Sequence, residues 1–228
     1  MRLEIREIRK YYGRKRVLEK ITLTAEPGQC TGIVGANGCG KSTLLRILAG
    51  AERADGGSIL IDGKEIGRGR EAAEHIGYIP QESVLIPELT VMDNFRLWTG
   101  FGDRRENQKN LENLCSQFEI RPFYREKVKN LSGGMRKRAG IVCALIHGPS
   151  LLLMDEPSAA LDLVFKEELK GYIREFTQKG GSVILCSHDA GELALCKSLW
   201  AIWDGTAYRV PEKMPVDEMV AEYMRQSR

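Results

Sequence analysis

The chain has 228 residues, with 34 basic and 31 acidic side chains for a net charge of +3, and 43% of it is hydrophobic. At roughly 150 residues per domain that is one large domain, or a core with a small appendage, and either can bury a real core. The balance argues against disorder and wholesale nucleic-acid binding, and the longest apolar stretch, Ala139 to Met154, is interrupted by His147, Pro149 and Ser150, so no membrane span of roughly 20 residues is expected.

The start, MRLEIREIRK, is charged from its second residue and shows no apolar run before a cleavage site, so it does not read as a secretory signal and a cytoplasmic location is expected. Cys30, Cys39, Cys115, Cys143, Cys186 and Cys196 form no CxxC or CxxH pair. They therefore predict neither a zinc site nor a disulfide framework. In the first 34 residues, Leu3, Ile5 and Ile8, then VLEKITLTAE, then CTGIV read as strands of an opening antiparallel sheet. The basic stretch RKYYGRKR, 9–16, suits either a triphosphate or lipid head groups, or simply the solvated face of a hairpin.

Behind a glycine loop, Leu44, Leu45, Ile47 and Leu48 recur at helical spacing, so strands now feed helices and the class is α/β. Residues 90–126 read as helical and polar, an insertion before the next strand, Leu151 to Met154. An amphipathic helix with Phe165, Leu169, Tyr172, Ile173 and Phe176 on one face follows, then the strand SVILC and a strand pair in LWAIWDGTAYRV. Residues 211–228 read as one short helix.

Residues 35–42, GANGCGKS, match G-x-x-x-x-G-K-[ST] between an apolar strand and a helix, the context a phosphate-binding loop requires. Glycines let successive N–H groups turn inward at phosphate oxygens, and the helix adds its positive end. Gly35, Asn37, Gly38, Cys39, Gly40, Lys41 and Ser42 are the expected contacts, with Lys41 on the β- and γ-phosphates, the Ser42 hydroxyl on Mg²⁺, and Thr43 as the helix residue beside the loop. An exposed thiol at Cys39 would have its pKa lowered by Lys41 and the helix end; the alternative is a small residue tolerated in the loop. In LLLMDEP, 151–157, a strand buried on both faces delivers two carboxylates to its carboxyl end, where ligands of parallel sheets bind. Asp155 is the expected metal-side carboxylate, and Glu156 the general base that polarises a water in line with the γ-phosphorus. In LSGGM, 131–135, Ser132 reads as the N-cap of a helix whose two glycines expose backbone N–H groups, a second anion site.

With LSGGM and the basic helix after it, the chain resembles ATP-binding cassette (ABC) ATPases over nearly its whole length. Tyr12 looks like the aromatic that stacks on adenine, Gln81 in YIPQE like the Q-loop glutamine that serves both catalysis and the metal, SAALD at 158–162 like the D-loop with Asp162, and His188 in CSHD like the switch histidine. The resemblance implies a P-loop NTPase core with a mixed sheet, an N-terminal antiparallel β subdomain, an inserted helical subdomain over about 84–147, and one nucleotide-binding domain over 1–228. It implies ATP and Mg²⁺ as ligands and a homodimer or heterodimer of cassettes sandwiching two ATP head to tail, with Ser132 and Gly134 reading the partner's nucleotide. It also implies a transmembrane permease subunit, and a place on the inner face of the cell membrane. Met135 departs from the usual glutamine, cannot complete a capping box with Ser132, and, opening the run MRKRAG, resembles the exporter branch that handles antibiotics, lipids or polysaccharide-like cargo.

In 82–100, Val84, Leu85, Ile86, Leu89, Phe95 and Trp98 are partly core, and any exposed apolar patch among them is the place where such cassettes receive the permease's coupling helix. The alternative function is a soluble ABC ATPase acting on ribosomes or DNA. Those classes resemble paired cassettes with a charged linker, or a cassette carrying a long coiled coil, neither of which is written here, and no direct nucleic-acid contact is expected. The segment 211–228 is too short for the regulatory domain some importers append.

Overall fold

The computed structural model describes residues 1–66, 75–99 and 103–211. Along the chain run β1 (Leu3–Tyr12), β2 (Lys15–Ala25), β3 (Cys30–Val34), α1 (Lys41–Leu48), β4 (Gly56–Ile61), β5 (Lys64–Glu65), β6 (Ile76–Ile79), α2 (Val91–Thr99), α3 (Arg104–Gln117), α4 (Gly133–Leu145), β7 (Leu151–Asp155), α5 (Leu163–Gln178), β8 (Ser182–Cys186), α6 (Ala190–Leu193), β9 (Ser198–Trp203) and β10 (Thr206–Arg209). The strands form one sheet in the order β5-β4-β1-β2-β10-β9-β3-β8-β7-β6.

The sheet changes character along its width. β5, β4, β1 and β2 pair antiparallel, whereas β9, β3, β8, β7 and β6 are parallel neighbours. In the parallel half, β3, β7 and β8 are buried at every position, which is why CTGIV, LLLMD and SVILC are continuous apolar runs without alternation. Successive side chains still leave opposite faces. Leu151 and Leu153 of β7 and Ile184 of β8 pack with Leu44, Leu45 and Leu48 of α1. Leu152 and Met154 of β7 and Val183 and Leu185 of β8 pack with Val142 of α4 and Phe165, Leu169 and Ile173 of α5. Helices thus cover both faces, and the chain leaves each parallel strand at the same edge, where the loops after β3, β7 and β8 gather.

The expected P-loop core, antiparallel β subdomain and inserted helices are all present. The pattern in the sequence does not mark β4 or β6. The first is only partly buried, and the second is four residues whose tyrosine and glycine dilute the apolar signal. Among the described residues no helix is long and apolar enough to cross a membrane. The helix expected over 211–228 falls, beyond Pro211, outside the described residues.

Candidate functional site

The loop after β3 folds as a phosphate loop must, and the backbone shows why the glycines are there. Gly35 has φ 152°, and a Cβ on it would lie 2.7 Å from the Ile202 carbonyl oxygen and 2.7 Å from Cys39 Sγ. Gly40 has φ 110° and is the N-cap of α1, with no side chain satisfying the first-turn N–H groups and no acidic residue in that turn. Those amides are therefore open to an anion, with the helix end behind them. Lys41 is 7% exposed. Its Nζ donates to the carbonyls of Gly35 and Ala36 at 2.7 and 3.0 Å, so the loop's own oxygens hold the ammonium at the cleft.

A cleft of about 560 Å³ opens here, lined by Tyr12, Asn37, Gly38, Gly40, Lys41, Ser42, Thr43, Gln81, Asp155, Glu156 and His188, together with Lys15, Val17 and Ala159. Residues separated by up to 176 positions in sequence thus share one wall, because the ends of the parallel strands β3, β6, β7 and β8 gather here and the β1–β2 hairpin adds Tyr12, Lys15 and Val17. Glu156 follows β7 with φ 47°, a left-handed backbone that is uncommon outside glycine and turns its side chain away from the strand direction. Its Oε1 lies 3.3 Å from His188 Nε2 but in poor alignment, and that buried oxygen has no hydrogen-bond partner. Burial pushes the Glu156 carboxyl up, the Lys41 ammonium pulls it down, and Glu192 and Asp155 push it up again. Burial and the Lys41 charge hold His188 below the ordinary imidazole value, so at neutral pH the ring is neutral and this contact is not an ion pair.

A metal fits on the chemistry of its donors. Ser42 and Asp155 bring a hydroxyl and a 2%-exposed carboxyl to the same cleft, with Gln81 beside them. Among the described residues no group of three His, Cys, Asp or Glu side chains could hold an ion. A hard divalent ion placed here would have to complete its shell with water and phosphate oxygens, which is how Mg²⁺ is bound.

Cys39 is not the exposed thiol on which a lowered pKa depended. It does not line the cleft; the side chain turns under the loop and packs against the cluster of Leu18, Ile33 and Leu44. Burial pushes the thiol up, and Lys41 offsets only part of that. Desolvation of the thiolate outweighs the nearby positive charge. Maleimide labelling at neutral pH, read by peptide mass spectrometry, is therefore expected to modify Cys39 more slowly than glutathione in the same buffer. Labelling as fast as glutathione would restore the reactive-thiol reading.

Ser132 and Asp162 also lie outside the cleft. Ser132 caps α4 as its sequence predicts, accepting from the Met135 N–H at 3.2 Å, and it is exposed. A Cβ on Gly133 or Gly134 would lie 3.7 and 3.4 Å from atoms of Ala160, so the LSGGM and SAALD segments are in contact. Asp162 caps α5 through the Phe165 N–H at 2.9 Å and accepts from Arg138 Nη2 at 3.1 Å. Its carboxylate is committed to holding α5 and α4 together.

Three supporting residues carry no signal in the sequence. Tyr12 donates its hydroxyl to Glu52, which also accepts from Arg46 Nε at 3.0 Å, so the aromatic ring at the cleft mouth is tethered to the end of α1. Lys137, 7% exposed within the basic run after LSGGM, donates to the carbonyls of Pro80 and Gln81 at 2.9 and 3.3 Å. It ties α4 to the segment that carries Gln81. Glu192, 1% exposed, accepts from Ser187 beside His188. Lys15, from the basic hairpin, is the one residue of RKYYGRKR other than Tyr12 that lines the cleft.

The family profile for ABC transporters matches residues 18–159. An aliphatic sulfonates import ATP-binding protein, SsuB of Cupriavidus necator, is 37% identical over 96% of this chain and 69% of its own length. A linearmycin resistance ATP-binding protein, LnrL of Bacillus subtilis, is 31% identical over 92% of this chain and 69% of its own. Other relatives are described as Fe(3+) ions and spermidine/putrescine import ATP-binding proteins. The chain spans about two thirds of the length of the curated relatives it matches. Among solved structures, an ATP-binding subunit of an ABC transporter superposes with a TM-score of 0.88 at 26% identity, covering 98% of this chain and 99% of that one. A bacterial ABC transporter cassette solved as a dimer gives 0.82 at 25% identity, covering 92% and 99%. Phosphate loop, paired carboxylates, signature helix and sequence matches converge, and the chain belongs to the ABC transporter family as one of its ATP-binding ATPase cassettes.

Proposed function

We propose that this chain is the motor of a membrane transporter: it binds MgATP in the P-loop cleft, closes on a second cassette, and passes the closure to a separate permease on the inner face of the membrane. One observation carries this reading. Lys41, Ser42, Gln81, Asp155, Glu156 and His188 line one cleft, while Ser132, the N-cap of α4, is exposed outside that lining. Two such chains placed head to tail would complete each other's sites.

In this reading Gly38, Gly40 and the first amides of α1 cradle the phosphates, Lys41 spans the β- and γ-phosphates, and Tyr12 stacks on the base. Ser42, Asp155 and Gln81 would hold Mg²⁺, whose charge offsets that of the phosphates. Glu156, with its unpartnered oxygen and raised pKa, orients and polarises the attacking water, and His188 takes a position on the γ-phosphate side. Ser132 and Gly134 serve the nucleotide of the partner cassette.

Val84, Ile86, Leu97 and Trp98 are 50, 43, 50 and 39% exposed beside the segment that carries Gln81. They supply the apolar surface on which the permease would sit. Replacing Leu97 with glutamate is expected to leave MgATP binding unchanged and to abolish copurification of a membrane protein from the native host. Retention of that protein by the variant would move the contact elsewhere.

Export is the direction that Met135 and the MRKRAG run support, together with the linearmycin resistance relative. The names of the sulfonate, iron and polyamine relatives favour import. Reconstitution of the copurified complex in vesicles decides between them. ATP added on the cassette side drives cargo into the vesicle lumen for an exporter, and no such accumulation, with uptake toward the cassette side instead, makes the system an importer.

A further inference from the structure

One buried polar cluster lies beside the cleft without lining it. Ser158, Ser187 and Glu192 are 6, 0 and 1% exposed. Ser187 Oγ donates to Glu192 Oε2 and accepts from the Asp189 N–H at 3.0 Å. The other hydroxyl, of Ser158, lies close enough to the Glu192 carboxyl to draw its pKa down. Glu192 sits on α6, whose N-cap Asp189 accepts from the Glu192 N–H at 3.0 Å, so its backbone is held as firmly as its side chain.

The cluster joins two segments of the cleft that are otherwise far apart in the chain. Ser158 opens SAALD, two residues after Glu156, and the neighbouring Ala159 lines the cleft. Ser187 immediately precedes His188. A carboxyl removed this completely from water is costly unless its oxygens are hydrogen-bonded, and an apolar residue would fill the space without that cost. Burial pushes the Glu192 carboxyl up, and the Ser187 and Ser158 hydroxyls beside it pull it part of the way back.

We infer that Glu192 is a positioning residue: through Ser187 and Ser158 it holds the His188 segment and the SAALD segment at one separation, so that a displacement of either is transmitted to the other. The inference rests on the ATPase reading of the same cleft. It does not require Glu192 to touch nucleotide. Its consequence falls on the alignment of Glu156 and His188 rather than on the grip of the phosphate loop, because neither serine belongs to that loop. A misplacement near 1 Å is enough to cost about a hundredfold in rate with little change in binding.

The test is a mutant cycle read as kcat per MgATP-binding site, which removes any misfolded fraction from the comparison. Glu192→Ala is expected to lower kcat by about tenfold to a hundredfold with KM for ATP within about threefold. Glu192→Gln keeps one acceptor oxygen and is expected to recover most of the rate. Ser158→Ala and Ser187→Ala each lower kcat, and their combination costs less than the product of the two. In the Glu192→Ala background both serine changes become silent. Should Glu192→Ala fail to fold, the glutamine variant and the two serine variants carry the test, and strictly multiplicative serine effects would overturn the inference. So would a Glu192→Ala protein with the parent's kcat per site, which would make the cluster structural only. A parent chain that binds MgATP without hydrolysing it overturns the ATPase reading together with this one, whereas a hydrolytic parent indifferent to Glu192 overturns this one alone.

Discussion

Glu156→Gln is expected to bind MgATP within about threefold of the parent and to hydrolyse it about a hundredfold more slowly, or worse, as loss of a general base commonly costs 10²–10⁴. The amide keeps the volume of the side chain and its backbone conformation, but it cannot take a proton from water. Lys41→Ala should behave in the opposite sense. It removes the one buried ammonium that the loop presents to the cleft, held by the Gly35 and Ala36 carbonyls at 2.7 and 3.0 Å. Charged hydrogen bonds of this kind contribute about 1.5–3 kcal/mol, so MgATP affinity should fall by about tenfold to a hundredfold. Calorimetric titration separates these effects from phosphate-release rates. Near-parental hydrolysis by Glu156→Gln would end the assignment of Glu156 as the base and leave His188, 3.3 Å from it, as the candidate.

Dimerisation should depend on nucleotide. Glu156→Gln with ATP is expected to elute as a dimer in size-exclusion chromatography with light scattering, and as a monomer with ADP. Addition of Ser132→Arg should return the ATP sample to monomer. The reason is geometric: Ser132 is exposed at the start of α4 and outside the P-loop cleft, so its helix end meets a γ-phosphate only when another chain brings one. Loss of the cap costs about 1 kcal/mol of stability, too little to unfold a domain with a core of this size. An unchanged affinity of the variant monomer for MgATP separates lost pairing from lost folding. Monomer in all three samples would sink the sandwich arrangement.

Legibility of the site from the sequence divides by the kind of interaction. GANGCGKS, LLLMDEP and LSGGM are each local: one loop between a strand and a helix, one strand end, one helix start. Their chemistry follows from residue type and immediate neighbours, so Lys41, Ser42, Asp155 and Glu156 could be named before any coordinates, and the structure brings them to one cleft. Ser132 as an N-cap is legible for the same reason. Cys39 was open in the sequence because its immediate neighbours, glycines and Lys41, say nothing about whether the thiol is exposed; packing against the core cluster decides that, and desolvation then outweighs the charge.

The sequence by itself determined the class and the chemistry: continuous apolar runs for parallel strands covered on both faces, a helical period for α1 and α5, and three phosphate-related motifs in order. What only the tertiary structure decided is partnership across long separations. That Lys137 supports the Gln81 segment, that Glu52 anchors Tyr12, that Asp162 holds α5 to α4 through Arg138, and that Glu192 joins Ser158 to Ser187 could not be read from spacing. A charged side chain looks the same in sequence whether it is solvated or buried against a carbonyl, and burial is fixed by which strands become neighbours in the sheet. Helix and strand periodicities are set by bonds within a few residues, whereas the identity of a buried charge's partner is set by the fold as a whole.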